Sequence, residues 1–263
     1  MSDAHHPRVD TNKYFSHKQK AYLINVSKNR DHERYESLSG TIVGRSGNSI
    51  ALQIPYSTEY ASPGKPQKHT FKLTTETMGN GIQVIADLVR IESGNIFHLN
   101  VCSNIEMYQR HRVPRIDTTI KLFQIQNKSS LAVYSSEFSS FTEQMKSRGA
   151  PPNLTLQEAT INLGVGGIRV ATETKVIPSQ LSLFFIGIND NDTPVCALGE
   201  LVWEYFEKDM RMCGYRFIQI SKVDQERIRG FIHSLWKKQK RAVPQTRVNW
   251  ELVDRMMYDQ ALE

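Results

Sequence analysis

The sequence predicts an all-β protein built from two β modules, with helical periodicity concentrated at the end of the second. Apolar and polar residues alternate in two series of short segments, which is the pattern of half-buried strands. Turns rich in glycine, asparagine or proline separate the segments. With 263 residues, 39% of them hydrophobic, the chain is long enough for one large domain or two small ones.

The first series of strand patterns runs from about residue 38 to residue 105. Gly47-Asn48 marks a tight turn, and after it Ile50, Leu52 and Ile54 alternate with smaller or polar residues, which predicts a hairpin. Three more patterns follow, HTFKLTT, IQVIADLVRI and IFHLNVC. Residues 1–35 are polar, and we expect a loose arm there with a short helix near residues 22–26.

The second series of strand patterns starts at residue 116. Its segments alternate and read IDTTIKLFQIQ, TLQEATINL, GGIRVAT, QLSLFFIGI, CALGELVWEYF and MCGYRFIQI. Between the first two lies EFSSFTEQMKSRGAPPN, which predicts an insertion over residues 136–153 with at least one helical turn.

A well-marked helix follows the second series. Ser221 and Asp224 form an N-terminal capping pattern. The apolar stripe after it predicts a helix that packs on the β module, and its members are Ile228, Phe231, Ile232, Leu235 and Trp236. Basic residues at 237–241 complement the negative end of the helix dipole. A last amphipathic helix is predicted from about Asn249, and it either caps the domain or binds a partner.

Composition excludes several function classes. Lys+Arg 33 against Asp+Glu 27 leaves a net charge of +6, far from that of a dedicated duplex binder, so we expect no DNA partner. No apolar run reaches the length of a membrane span, and the amino terminus lacks a signal-peptide core, so we expect a cytoplasmic protein. Cys102, Cys196 and Cys213 are scattered and fit buried thiols in a reducing compartment.

The motifs of enzymes and metal sites are missing from the sequence. It contains no GxSxG nucleophile turn, no Walker motif, no HExxH and no CxxC. We therefore expect a protein without catalytic activity, metal or cofactor.

A cationic run is the first candidate for ligand binding. The stretch YQRHRVPRI, residues 108–116, concentrates positive charge beside Pro114, which disfavours helix and favours an extended chain. Its cationic residues are Arg110, His111, Arg112 and Arg115. In an extended chain His111 and Arg115 share a face, and the other two arginines share the opposite one. Arginine forks suit phosphate and the O6/N7 edge of guanine, so the run predicts an anion-binding segment.

The second candidate is the glycine-rich stretch INLGVGGIRV. Gly164, Gly166 and Gly167 permit close approach of a ligand to the backbone, and Asn162 supplies an amide donor and acceptor. Two interpretations stay open: a nest of backbone N–H groups that binds an anion, or a hairpin turn.

Taken in order, QRHRVPRI, INLGVGGIRV, GELVW and GYRFIQIS before the capped helix resemble a PilZ domain. The β domain in front looks like the amino-terminal half of flagellar-brake-type PilZ proteins. The resemblance implies a six-stranded β-barrel with a carboxyl-terminal helix, preceded by a split-barrel-like domain. It divides the chain into a polar arm (1–35), an amino-terminal β domain (36–107), a PilZ domain (108–241) and a helical extension (242–263).

The resemblance also implies a ligand and its site. PilZ domains bind cyclic di-GMP through an RxxxR motif and a D/N-x-S-x-x-G motif. Arg115 matches the second arginine, and Asn162 and Gly167 match the ends of the second motif, whereas His111 replaces an arginine and Gly164 replaces the serine. The implied ligand residues are Arg110, His111, Arg112, Arg115, Asn162, Gly164, Gly167 and Trp203. Trp203 either stacks on a base or belongs to the barrel core.

Two functions follow from this resemblance. In the first, the protein is a cyclic di-GMP receptor in which the ligand rearranges the two domains and thereby regulates a protein partner, such as the flagellar motor or other motility and surface machinery. In the second, it is a ligand-independent adaptor with a degenerate nucleotide site that acts by protein contact.

Overall fold

The computed structural model describes ten stretches of the chain. They are residues 14–28, 30–58, 60, 69–77, 80–93, 95–108, 115–127, 129–151, 154–189 and 193–239. These residues form two compact units: residues 14–30 and 37–108 belong to the first, and residues 31–36 and 115–239 belong to the second.

The first unit is a closed sheet of antiparallel strands. Its strands are β1 (Lys20–Asn25), β2 (Arg34–Ser46, whose first three residues belong to the second unit), β3 (Ser49–Gln53), β4 (Thr70–Thr77), β5 (Asn80–Glu92), β6 (Ile96–Val101) and β7 (Glu106–Tyr108). The order β1-β4-β5-β6-β3-β2 closes because β1 also pairs with β2, and β7 adds to β5. The hairpin predicted at Gly47-Asn48 is confirmed, with Gly47 at a φ of 53°.

The prediction for residues 22–26 in this unit is wrong. Residues 20–25 form β1, not the short helix expected near residues 22–26 within a loose arm. Ala21 and Leu23 are fully buried, and the backbone of β1 pairs with β2 on one side and with β4 on the other. The strand is held by long-range pairing, which a short apolar segment between polar neighbours does not reveal in the sequence.

The second unit is a six-stranded barrel with two helices. Its elements are β8 (Ile116–Ile125), α1 (Leu131–Arg148), β9 (Gln157–Gly164), β10 (Gly167–Glu173), β11 (Leu181–Gly187), β12 (Val195–Glu207), β13 (Met210–Ser221) and α2 (Lys222–Lys238). The order β13-β10-β9-β8-β11-β12 closes through the pairing of β12 with β13. The first residues of β2 add to β13, with Glu36 opposite Gln219. The predicted all-β class and the six-stranded barrel with a carboxyl-terminal helix are confirmed.

The insertion after β8 is a full helix of 18 residues, and it begins before the predicted residue 136. It changes the burial of β11, where the predicted alternation is wrong because residues 181–186 are all buried. Phe184 points into the barrel, with its ring centroid 5.0 Å from that of Tyr215. Phe185 points outward and meets Phe141 of α1 edge-on, also at 5.0 Å. The outer face of β11 is therefore core as well.

Helix α2 begins as predicted. The Ser221 hydroxyl accepts a hydrogen bond from the Asp224 backbone N–H at 3.0 Å. Ile228 and Ile232 are completely buried, and the other three members of the stripe pack against the same core. The last helix predicted from Asn249, and the basic residues after Gln239, lie outside the described residues. Within the described residues, no helix is long and apolar enough to cross a membrane.

Replacing the cap residue by Ser221→Ala is expected to lower the free energy of unfolding by about 1 kcal/mol, because the Asp224 N–H loses its acceptor. Urea denaturation measures the difference. Ser221→Asp is the matched control, since aspartate also caps helices and should retain most of the stability. Equal stability of the alanine and aspartate variants would show that the cap contributes nothing.

Candidate functional site

The side chain of Arg115, which directly precedes β8, lies over the β9–β10 hairpin. A Cβ placed on Gly164 would fall 2.9 Å from Arg115 Cγ, closer than real Cβ atoms approach their neighbours. A Cβ on Gly167 would fall 3.3 Å from Arg115 Nη2. The two glycines thus leave room for the arginine to lie against the strands, which a side chain at either position would obstruct.

Beside this arginine, three polar residues meet on neighbouring strands. Asp117 of β8 stands opposite Asn162 of β9, which stands opposite Arg169 of β10. Asn162 Nδ2 donates to Asp117 Oδ1 at 2.9 Å, and Arg169 Nη2 donates to the same oxygen at 2.7 Å. The Asp117 side chain is 65% exposed, so this ion pair contributes at most about 1 kcal/mol to folding. Its main effect is to orient the other two side chains.

The glycine stretch forms a hairpin and not an anion nest. Val165 and Gly166 are the turn between β9 and β10, and the Phe217 N–H donates to the Gly166 carbonyl at 3.0 Å. None of the three glycines in the stretch has a positive φ, which a nest of alternating right- and left-handed residues requires. Of the two interpretations, the hairpin is the one found.

Gly167 is needed for a different reason, the approach of two backbones. A Cβ at this position would lie 2.4 Å from the Tyr215 carbonyl oxygen and 3.3 Å from the Arg216 Cα of β13. Backbone atoms do not move aside as a flexible side chain does. Gly167 is therefore required by the pairing of β10 with β13 and also admits Arg115.

Trp203 lies on the outer face of the barrel, so the core interpretation is wrong. Its side chain is 39% exposed and stacks on Tyr205 with ring centroids 5.4 Å apart and an interplanar angle of 21°. The indole covers Gly214, where a Cβ would fall 2.1 Å from Trp203 Cε2. Gly214 is paired with Arg169 on one side and Trp203 on the other. The outer face thus has an aromatic platform beside the polar cluster.

The second barrel gathers most of the predicted ligand residues on one face. Arg115, Asn162, Gly164 and Gly167 lie together, and Trp203 lies three strand spacings from Asn162, about 14 Å. The predicted ligand residues Arg110, His111 and Arg112 lie outside the described residues.

Sequence reasoning missed Asp117 and Arg169. Asp117 is two residues after Arg115 and therefore on the same face of a strand that was predicted, which is a usable signal. Arg169 is revealed only by the register, which places it opposite Asn162 across the hairpin. Pairing the predicted strands before choosing site residues would have added both.

The cysteines give no sign of a second site. Cys196 and Cys213 are buried as predicted, and burial raises the pKa of both thiols, whereas Cys102 is exposed, contrary to the prediction. Among the residues that the structure describes, no group of three or more histidine, cysteine or acidic side chains could hold a metal ion.

Solved structures of PilZ-domain proteins are similar to the chain at low identity. The Bacillus subtilis inhibitor of motility, MotI/DgrA, is 12% identical over 86% of this chain and 100% of that chain, with a TM-score of 0.36. Escherichia coli YcgR in complex with c-di-GMP is 13% identical over 91% and 97%, with a TM-score of 0.30. A tetrameric PilZ domain from Xanthomonas campestris is 10% identical over 51% and 92%, with a TM-score of 0.35.

No protein-family model matches the chain, and no curated protein is a significant match. The fold and the site follow from the strand pairings and side chains of this chain itself.

Adjacent glycines of the hairpin should respond differently to substitution. Gly167→Ala is expected to lower the free energy of unfolding by about 1–3 kcal/mol, because its Cβ meets the Tyr215 carbonyl. Gly166→Ala, whose Cβ meets nothing within 4 Å, should change it by less than about 0.5 kcal/mol. Urea denaturation compares the two, and equal losses would contradict the close approach of β10 and β13.

Proposed function

We propose that this protein is a receptor for cyclic di-GMP that binds the nucleotide on the outer face of the second barrel. The observation that carries the proposal is the packing of Arg115 on the glycine hairpin, close to Asn162 and on the same face as Trp203. These are the residue types, at the matching motif positions, that the PilZ resemblance implies for this ligand.

Each of these groups has a part of the ligand that it suits. The Arg115 guanidinium suits a phosphate or the O6/N7 edge of guanine. The amide nitrogen of Asn162 donates to Asp117, so the side-chain carbonyl oxygen is the atom that can accept from guanine N–H groups. The exposed indole of Trp203 offers a surface for base stacking, worth about 1–3 kcal/mol.

The two departures from the motif affect affinity in different ways. A serine at position 164 would bring its Cβ to 2.9 Å from Arg115 Cγ, so the arginine stem fills the space of the missing serine. His111 lacks a guanidinium fork, and losing one bidentate contact costs about 1–3 kcal/mol, roughly tenfold to hundredfold in affinity. Arg110 and Arg112 flank it and supply replacement charge. We expect binding in the micromolar range.

The signal would pass on without bond making or breaking. Arg115 and the cationic run before it connect the two units along the chain, so a nucleotide held there favours one arrangement of the units over another. The output that we propose is a contact with a protein partner in the cytoplasm, and motility or surface machinery is the class of partner that the PilZ resemblance implies.

A ligand-independent adaptor is the second candidate, and an exposed aromatic surface favours it. On β12, Tyr205 is 43% exposed and stacks on Trp203, which is 39% exposed. Aromatic residues exposed side by side are typical of protein contacts. In this case the face that we assign to the nucleotide would bind a protein instead.

Calorimetric titration with cyclic di-GMP separates the two candidates. The natural protein should bind, Arg115→Ala should weaken binding at least about tenfold, and His111→Arg should strengthen it by about tenfold to hundredfold. Arg229→Ala is the matched control, since this arginine of α2 is partly exposed and paired with Glu226. It should leave the affinity unchanged.

Three other outcomes of this titration lead to different conclusions. Binding by His111→Arg alone would establish the adaptor, because the natural site would then be incomplete. Binding that survives Arg115→Ala unchanged would place the ligand elsewhere, and absence of binding in every variant would reject the receptor.

A further inference from the structure

We propose that Asp117 reads the base of the nucleotide, with one carboxylate oxygen holding Asn162 and Arg169 and the other accepting from guanine. This inference rests on the proposed binding of cyclic di-GMP and adds the residue that selects guanine over adenine.

The geometry at Asp117 separates the roles of its two oxygens. The donors from Asn162 and Arg169 both converge on Oδ1, at 2.9 and 2.7 Å. Oδ2 takes part in neither bond, and the side chain is 65% exposed. One oxygen therefore holds the neighbouring side chains, and the other is a hydrogen-bond acceptor on the face where the ligand is expected.

The same bonds place a second acceptor beside the first. Because Asn162 commits its amide nitrogen to Asp117, its carbonyl oxygen must point away from that bond. Asp117 and Asn162 are directly opposite each other on β8 and β9, where Cβ atoms are about 4.5–5.5 Å apart. Two acceptors thus stand side by side on the outer face.

A pair of acceptors discriminates between purines. The Watson–Crick edge of guanine presents two adjacent donors, N1–H and the N2 amino group, whereas that of adenine presents one donor, N6, and one acceptor, N1. Guanine can satisfy both protein oxygens, and adenine would leave a lone pair facing a carboxylate. Unmatched polar groups are costly in a binding site, which is the basis of such selection.

The carboxylate does not prevent binding of an anionic ligand, because Arg169 neutralises it. The Arg169 guanidinium lies 2.7 Å from Oδ1, so the Asp117–Arg169 pair carries no net charge. The site therefore keeps its attraction for phosphate while presenting an acceptor to the base.

Replacing Asp117 by the isosteric asparagine should change the preferred base from guanine to adenine. In Asp117→Asn the amide oxygen must turn toward Asn162 and Arg169, because both of them are donors. The amide nitrogen then faces the ligand, so an acceptor becomes a donor. This donor cannot hydrogen-bond to guanine N1–H or N2–H, which are donors too, but it can donate to adenine N1.

The test titrates cyclic di-GMP and cyclic di-AMP into the natural chain and into Asp117→Asn, Asp117→Ala and Asp209→Asn. The same four forms are also prepared with His111→Arg. We expect Asp117→Asn to bind cyclic di-GMP at least about tenfold more weakly than the natural chain, and more weakly than Asp117→Ala. Cyclic di-AMP should bind more tightly to Asp117→Asn than to Asp117→Ala. Asp209→Asn, an equal change at the exposed β12–β13 turn, should alter neither affinity.

Failure of the inference and failure of the receptor function give different results. If cyclic di-GMP binds, and Asp117→Asn and Asp117→Ala keep the same preference between the two nucleotides, Asp117 does not read the base while the receptor stands. Equal losses for both nucleotides would also overturn the inference, since they indicate only a damaged fold, which thermal unfolding checks. If no form binds, including those with His111→Arg, the receptor and the inference both fall.

Discussion

The packing of one arginine stem on two glycines is the constraint on which the candidate site depends. Arg115 can lie against β9 and β10 because neither Gly164 nor Gly167 carries a Cβ. This position sets a guanidinium at the edge of the same face that bears Asn162 and Trp203. It also explains a departure from the PilZ motif, because the stem occupies the space where the motif has a serine. The position of the Arg115 side chain therefore depends on the glycine at position 164.

Much of the fold was predictable because its signals are local. Strand alternation and turn residues located the eleven strands of the two predicted series, β2–β6 and β8–β13, and the cap at Ser221 with its apolar stripe located α2. The errors arose where a distant element decides the structure. Strand β1 is stabilised by neighbours on both sides, and β11 loses its alternation because α1 covers its outer face. The prediction for α1 began only at residue 136 and so left out its first turn, although apolar residues recur at helical spacing along it, at Leu131, Tyr134, Phe138, Phe141 and Met145.

Only those site residues that belong to a linear sequence motif were predictable. The resemblance supplied Arg115, Asn162 and the glycines, which the barrel gathers on one face. It could not decide whether Trp203 faces inward or outward, because register shifts in the β12–β13 pairing interrupt simple alternation just before it. Asp117 and Arg169 were missed because their meeting depends on the register of three strands, two of them separated in the chain by α1.

An NMR titration of the isotopically labelled protein with cyclic di-GMP tests the central claim most directly. If Arg115, Asn162 and Trp203 share one ligand, the Asn162 side-chain amide and the Trp203 indole N–H should show large chemical shift changes. Backbone amides of residues 115–119 and 164–169 should follow with the same concentration dependence. Saturable shifts confined to the first unit or to α2, with these signals unchanged, would contradict the account.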